Sequence, residues 1–195
     1  AKTYAFGPHG SGKLEDGVRV EEGGDMQFTP DVRVKDGEII KGNGFTFECV
    51  FTPGHTSNHM CYALKEENAL FTGDHVMGWS TTVVTPPDGD MAQYMASVKK
   101  LMARDDAILY PTHGAPVTDP KPFLAAYLEH RLDREKQIVA CIRDGLTTIP
   151  QMVARMYADV DKRLHPAASR SVLAHLIQLE NENRAVNDGG HYRLT

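Results

Sequence analysis

The sequence is 195 residues long, 41% apolar and 24% charged, with a formal net charge of −5. That apolar content suffices for one domain, or two small ones, with a real core. The charge argues against general nucleic-acid affinity, which needs many phosphate-neutralising cations, and with no apolar run near a membrane span and no signal-like start a cytoplasmic protein is expected.

In chain order, residues 1–6 already read as the inside of a strand, and the first residue is Ala rather than Met. A start produced by cleavage or truncation is therefore expected. His9, in Gly-Pro-His-Gly-Ser-Gly, reads as part of an exposed turn. Residues 32–34, 38–40 and 45–51 are short β-prone runs, separated by the tight-turn dipeptides Asp36-Gly37 and Asn43-Gly44. Residues 60–64 and 69–72 form the next pair of strands, joined by the polar Lys65-Glu66-Glu67-Asn68. Cys49 and Cys61 fall inside these runs and Cys141 lies far away. Odd in number and widely spaced, they read as buried small hydrophobes, not as a disulfide framework or zinc knuckle, which suits a reducing compartment. A helix over about residues 90–104 is expected, capped by Asp90, with Met91, Tyr94, Met95, Val98, Leu101 and Met102 at helical spacing. Residues 107–110 then form a buried strand.

From Pro120 onward the pattern becomes helical. An amphipathic helix is expected over about residues 121–143, ended by Gly145. Thr148 caps a short one running through Tyr157. Pro166 starts a third that reaches about Glu182, with Val172, Leu173, Leu176 and Leu179 inward. Residues 184–187 and 191–194 around Asp188-Gly189-Gly190 read as a hairpin. Three helices and a hairpin are the order of a winged helix. Charge divides at the same place: residues 1–120 carry 10 basic against 17 acidic side chains, and residues 121–195 carry 11 against 9. Two units, 1–120 and 121–195, are expected. The third helix would expose Ser171, His175, Gln178 and Glu182, with Arg170 beside them. That is a poor DNA reader, and a role in closing over an active site or building a dimer is favoured.

Three potential metal ligands each follow an apolar run: His55 after Pro53-Gly54, Asp74 after Phe71-Thr72-Gly73, and His113 after Pro111-Thr112. Zinc accepts neutral imidazole and carboxylate. A metal-dependent hydrolase uses such a site to lower the pKa of water, and a carboxylate can bridge two metals. Asp74 is assigned that bridging, catalytic role, Gly73 giving the sharp turn before it.

Pro53-Gly54-His55-Thr56, Phe71-Thr72-Gly73-Asp74 and Pro111-Thr112-His113-Gly114 resemble, in order and spacing, the last three motifs of the metallo-β-lactamase superfamily. The closing helices and wing make the chain similar to the lactamase-beta-2-like subgroup, itself similar to glyoxalase II in the lactamase part. The resemblance implies an α+β fold: the C-terminal portion of an αββα sandwich followed by a winged helix. It also implies that His55 binds a first zinc, Asp74 bridges, and His113 binds a second. The family's His-x-His-x-Asp-His motif, which would supply the other four ligands, is expected upstream of Ala1. The chain alone is then expected to hold zinc poorly and to be inactive. Thr112 departs from the family's usual Gly. A β-branched residue resists positive φ, so either Thr112 takes ordinary backbone angles or the second site is altered.

His59 and His75 adjoin the motifs, as substrate or outer-sphere residues or as plain hydrogen-bonded neighbours. Trp79 either lines the pocket mouth or packs under the loop. His130, His165, His175 and His191 read as structural or surface residues. The leading expectation is a hydrolase whose metal-bound hydroxide attacks a thioester or ester, or a phosphodiester in single-stranded RNA, the low basic charge leaning away from RNA. The alternative class is a non-catalytic winged-helix binding module with a decayed lactamase half. Without a first sheet, an apolar sheet face would be left bare, to be covered by homodimerisation or by a retained N-terminal fragment.

Overall fold

The computed structural model describes residues 1–8 and 27–195; the His9 turn lies outside them. A five-stranded sheet runs in sequence order: β3 (Ile39–Gly42), β4 (Phe45–Phe51), β5 (Met60–Leu64), β6 (Ala69–Gly73) and β7 (Ile108–Pro111). The first four strands pair antiparallel, and β6 and β7 pair parallel. The β6–β7 crossover contains helix α1 (Met91–Met102), as a parallel connection requires. Two short strands, β1 (Tyr4–Ala5) and β2 (Val32–Arg33), pair parallel beside it. The expected strands β4, β5 and β6 match to within a residue because turn chemistry and alternation agree there, and β2 and β7 do as well.

The two faces of the sheet differ. Cys61, Ala63, Leu70 and Leu109 point into a core closed by Tyr94 and Val98 of α1 and by Leu124 and Tyr127 of α2 (Pro120–Arg143). The opposite face is an aromatic ladder. Phe47 meets Tyr62 and Phe71 edge-on, and Phe71 stacks on Tyr110 at 5.4 Å. Phe45 and Phe71 remain 41% exposed and Tyr110 38%. This is the bare apolar face expected for one sheet of a sandwich.

Asp90 caps α1 through its side chain, which accepts from Gln93 N at 2.9 Å. The second half of α2, with α3 (Ile149–Met156), α4 (His165–Asn181) and the hairpin β8 (Ala185–Asp188) and β9 (His191–Leu194), forms a winged helix around Ile138, Met152, Val172, Leu176 and Leu179. The long α2 therefore contributes to both cores. Pro166 is the second residue of α4, not its first.

One expectation is overturned. His175 and Gln178, assigned to an exposed face of α4, are 1% and 6% exposed. The helix packs its winged-helix core on one side and reaches the sheet core on the other, where Ala174 belongs. Both sides of α4 are thus occupied. Cys49, Cys61 and Cys141 are free thiols and buried. Among the described residues no helix is long and apolar enough to cross a membrane.

Candidate metal centre

Strands β4, β6 and β7 run in the same direction, so their C-terminal ends lie at one edge of the sheet. His55, Asp74 and His113 follow those three ends. Parallel neighbours β6 and β7 bring Asp74 and His113 closest, with Nε2 3.5 Å from Oδ1. Thr112 donates its N–H to Gly73 O at 3.2 Å, tying the two strand ends together. Thr112 is absent from the positive-φ residues, so the β-branched side chain is accommodated with ordinary backbone angles. The φ of +95° falls instead on Gly114.

Gly114 does more than turn. A Cβ there would lie 2.7 Å from Gly78 C, and Gly78 N donates to His113 O at 2.8 Å. The two loops that carry Asp74 and His113 are thus joined backbone to backbone, which only glycine allows. Gly73, at φ +55°, is similarly crowded, since a Cβ would sit 2.8 Å from His59 Nε2.

His55 is oriented by the loop after Asp74. Its Nδ1 lies 2.6 Å from Val83 O. A carbonyl can only accept, so Nδ1 carries the proton and Nε2 presents a lone pair. That loop is held in turn by α2. Tyr127 Oη accepts from Met77 N at 3.0 Å and meets the carbonyls of Met77 and Ser80. One turn on, Arg131 donates to Thr82 O and lies 5.1 Å from the Tyr94 ring centroid. Arg131 is 3% exposed. A buried guanidinium is costly unless hydrogen-bonded, and here it fixes the residue next to the carbonyl that His55 uses.

His55, Asp74 and His113 line one open cavity of about 760 Å³. Asp74 Oδ1 is shielded from solvent and has no hydrogen-bond partner, with His113 Nε2 3.5 Å away; a cation would satisfy it. Two imidazoles and this carboxylate are donors that zinc accepts. Their number falls short: among the described residues no three His, Cys, Asp or Glu side chains are gathered closely enough to hold an ion. The residues fit part of a metal site.

His59 and His75 stand behind the ligands and do not line the cavity. His59 Nδ1 is 2.8 Å from Thr52 Oγ1, and burial, with His55 nearby, pushes its pKa down to about 3. His75 is fully buried between His59 and the Tyr94 ring, with neither nitrogen hydrogen-bonded. Burial holds it well below the ordinary imidazole range, helped by His59, His55 and Arg131. Trp79 is 73% exposed and stacks on His113 at 6.2 Å between centroids. Tyr127, Arg131 and Gly78 are the site-building residues that sequence reading passed over. The available signal was an arginine on the apolar stripe of α2, between Tyr127 and Ile138.

Residues 3–113 match the family described as "Metallo-beta-lactamase superfamily", and residues 148–193 match "Beta-lactamase associated winged helix domain". The chain is 31% identical over 178 residues to "Lactamase-like protein adaB" of Aspergillus niger, covering 83% of this chain and 55% of that protein. It is 33% identical over 155 residues to an "Atrochrysone carboxyl ACP thioesterase" of Aspergillus chevalieri, covering 73% and 49%. A metallo-beta-lactamase family protein from Thermus thermophilus shares the fold, with a TM-score of 0.73 at 22% identity over 84% of this chain and 54% of that one. The chain thus spans about half the length of the curated relatives it matches.

Proposed function

The chain belongs to the metallo-beta-lactamase superfamily and carries its associated winged helix, and from that premise we propose that it builds half of the active site of a metal-dependent thioesterase. The observation that carries this reading is the arrival of His55, Asp74 and His113 at one cavity from three strand ends. A divalent metal there, zinc by the donor set, would lower the pKa of water and polarise the substrate carbonyl. In a two-zinc site His55 Nε2 would face the first ion, Asp74 would lie between the ions, and His113 would face the second. The Val83 carbonyl keeps His55 in the required tautomer. Trp79, stacked on His113, restrains that ring.

Thioesters are favoured over single-stranded RNA for two reasons. A relative carries a thioesterase name, and among the described residues no Lys or Arg from the lactamase-like part lines the cavity. A backbone-tracking nucleic-acid groove needs a line of cations. A DNA-reading module is disfavoured because α4 is covered on both sides. The three proposed ligands, shared between two ions, would bind weakly, so thioester turnover by this chain is expected to be slow and is read against a no-protein blank.

Thiol release from a panel of acyl thioesters, run beside cleavage of single-stranded RNA over a salt series, tests the reading. Thioester turnover insensitive to salt is expected, because no array of phosphates is being neutralised. Asp74→Asn is expected to lower kcat/KM at least about 100-fold and to reduce bound metal, checked by kinetics and elemental analysis. RNA cleavage that falls steeply with salt, without thioester turnover, would sink the proposal.

A further inference from the structure

We infer that Arg170 is the substrate-recognition cation of this cavity, and that the thioester it serves carries an anionic group, a carboxylate or a phosphate, bound at the winged-helix wall. The thioester half of this statement rests on the proposed function; the anion half stands on the cavity itself.

The cavity has two unlike walls. His55, Asp74 and His113 occupy one, and the other is supplied by the winged helix through Arg163, Pro166, Ala167 and Arg170. Among the described residues, both cationic side chains that line the cavity come from the winged helix. The two arginines are not equivalent. Arg163 is consumed by Asp161, with Nη2 2.6 Å from Oδ2 and Nε 3.1 Å from Oδ1. Arg170 has no hydrogen bond, ion pair or ring contact among the described residues, although it lines the same space.

Arg170 is also held in place. It stands on the second turn of a 17-residue helix whose next turns are locked by Val172, Leu176 and Leu179 on one side and by Ala174 on the other. The guanidinium thus projects from a rigid element, as a specificity group should. Its planar fork matches a carboxylate or phosphate. Between the walls lie Met77 and Val83, with the hydroxyl-bearing Thr82 and Thr85, a lining suited to an uncharged acyl body. On the proposed reading the charged group sits at Arg170 on one wall and the thioester carbonyl faces His55, Asp74 and His113 on the other. Such a wall fixes which end of the substrate enters.

The test measures binding, so it is independent of turnover. Matched pairs are titrated into the chain: benzoate against benzyl alcohol, and phosphopantetheine against pantetheine. The Arg170 Nε–H and Trp79 indole N–H resonances are followed by NMR. The anionic member of at least one pair is expected to bind about 10-fold more tightly or better, as for a charge-assisted pair. Arg170→Gln should abolish that preference, and Arg170→Lys should restore part of it, with the amide spectrum otherwise unchanged. Preference within the benzoate pair places the anion on the acyl group; preference within the phosphopantetheine pair places it on the carrier arm. Equal binding within both pairs, no binding at all, or a preference that survives Arg170→Gln would overturn the inference. Failure of thioester hydrolysis with the preference intact would count against the proposed function alone.

Discussion

At the scale of the residue, the positions of the proposed ligands are set by what stands beside them more than by the side chains themselves. His55 is oriented by a backbone carbonyl that takes its Nδ1 proton, which sets the tautomer in which Nε2 is the basic nitrogen. Asp74 and His113 meet because Gly78 and Gly114 let two backbones touch. Gly114→Ala places a Cβ 2.7 Å from Gly78 C at a φ of +95°. It is expected to cost about 1–3 kcal/mol in stability and to separate His113 from Asp74. Thermal melting and the His113 imidazole chemical shifts check this. The neighbouring histidines are different in kind. His59 and His75 are buried with suppressed basicity, and their closeness to the motifs in sequence does not bring them into the cavity lining.

At the scale of the element, α2 is the member that couples the two halves. Its first turns cover the sheet, its last turns enter the winged-helix core, and between them Tyr127 and Arg131 grip the loop that orients His55. These residues are four apart, hence on one helix face. Tyr127→Phe removes the hydroxyl that serves Met77 and is expected to cost about 1–3 kcal/mol. Arg131→Met frees Thr82 O and is expected to weaken metal binding about 10- to 100-fold, with Arg131→Lys intermediate. Metal titration of each variant, alongside urea unfolding, separates the two effects. Metal affinity unchanged in Arg131→Met would limit that residue to packing.

At the scale of the whole molecule, two features govern solution behaviour. The first is buried imidazole. Burial pushes His175 from 6.5 to about 3, with Arg131, His130 and Arg134 adding to it. Folded His175 stays neutral while the unfolded chain takes up a proton near pH 6.5. Its contribution is therefore untouched above that pH and is lost progressively as pH falls from 6.5 towards about 3. His59 acts in the same direction. His175→Leu is expected to flatten stability between pH 6.5 and 4, measured by urea unfolding at each pH; an unaltered slope would clear His175 of the effect. The second feature is the aromatic ladder. Exposed Phe45, Phe71 and Tyr110 need a cover in the working protein, and we propose a second copy or a retained N-terminal fragment for that role. Sedimentation at rising concentration is expected to show self-association of the isolated chain, reduced by Phe71→Glu. A monomer at all concentrations would exclude the second copy.

Much of this was legible in the sequence because it was encoded locally. Alternation and turn dipeptides define β4 to β6, Asp90 and the spaced apolar residues define α1, and the order of helices and hairpin defines the winged helix. His55, Asp74 and His113 were legible as well, because each closes a short motif at the end of an apolar run. What the sequence could not express was convergence. Shared strand direction puts the three ligands on one edge, and long-range packing buries His175 and Gln178 on a face that helical periodicity alone marks as exposed. The same packing carries Arg170 into the cavity and sets Arg131 behind His55. Local patterns specify elements because propensity acts within a few residues. Sites that join residues 50 or 100 positions apart are decided only when the elements pack.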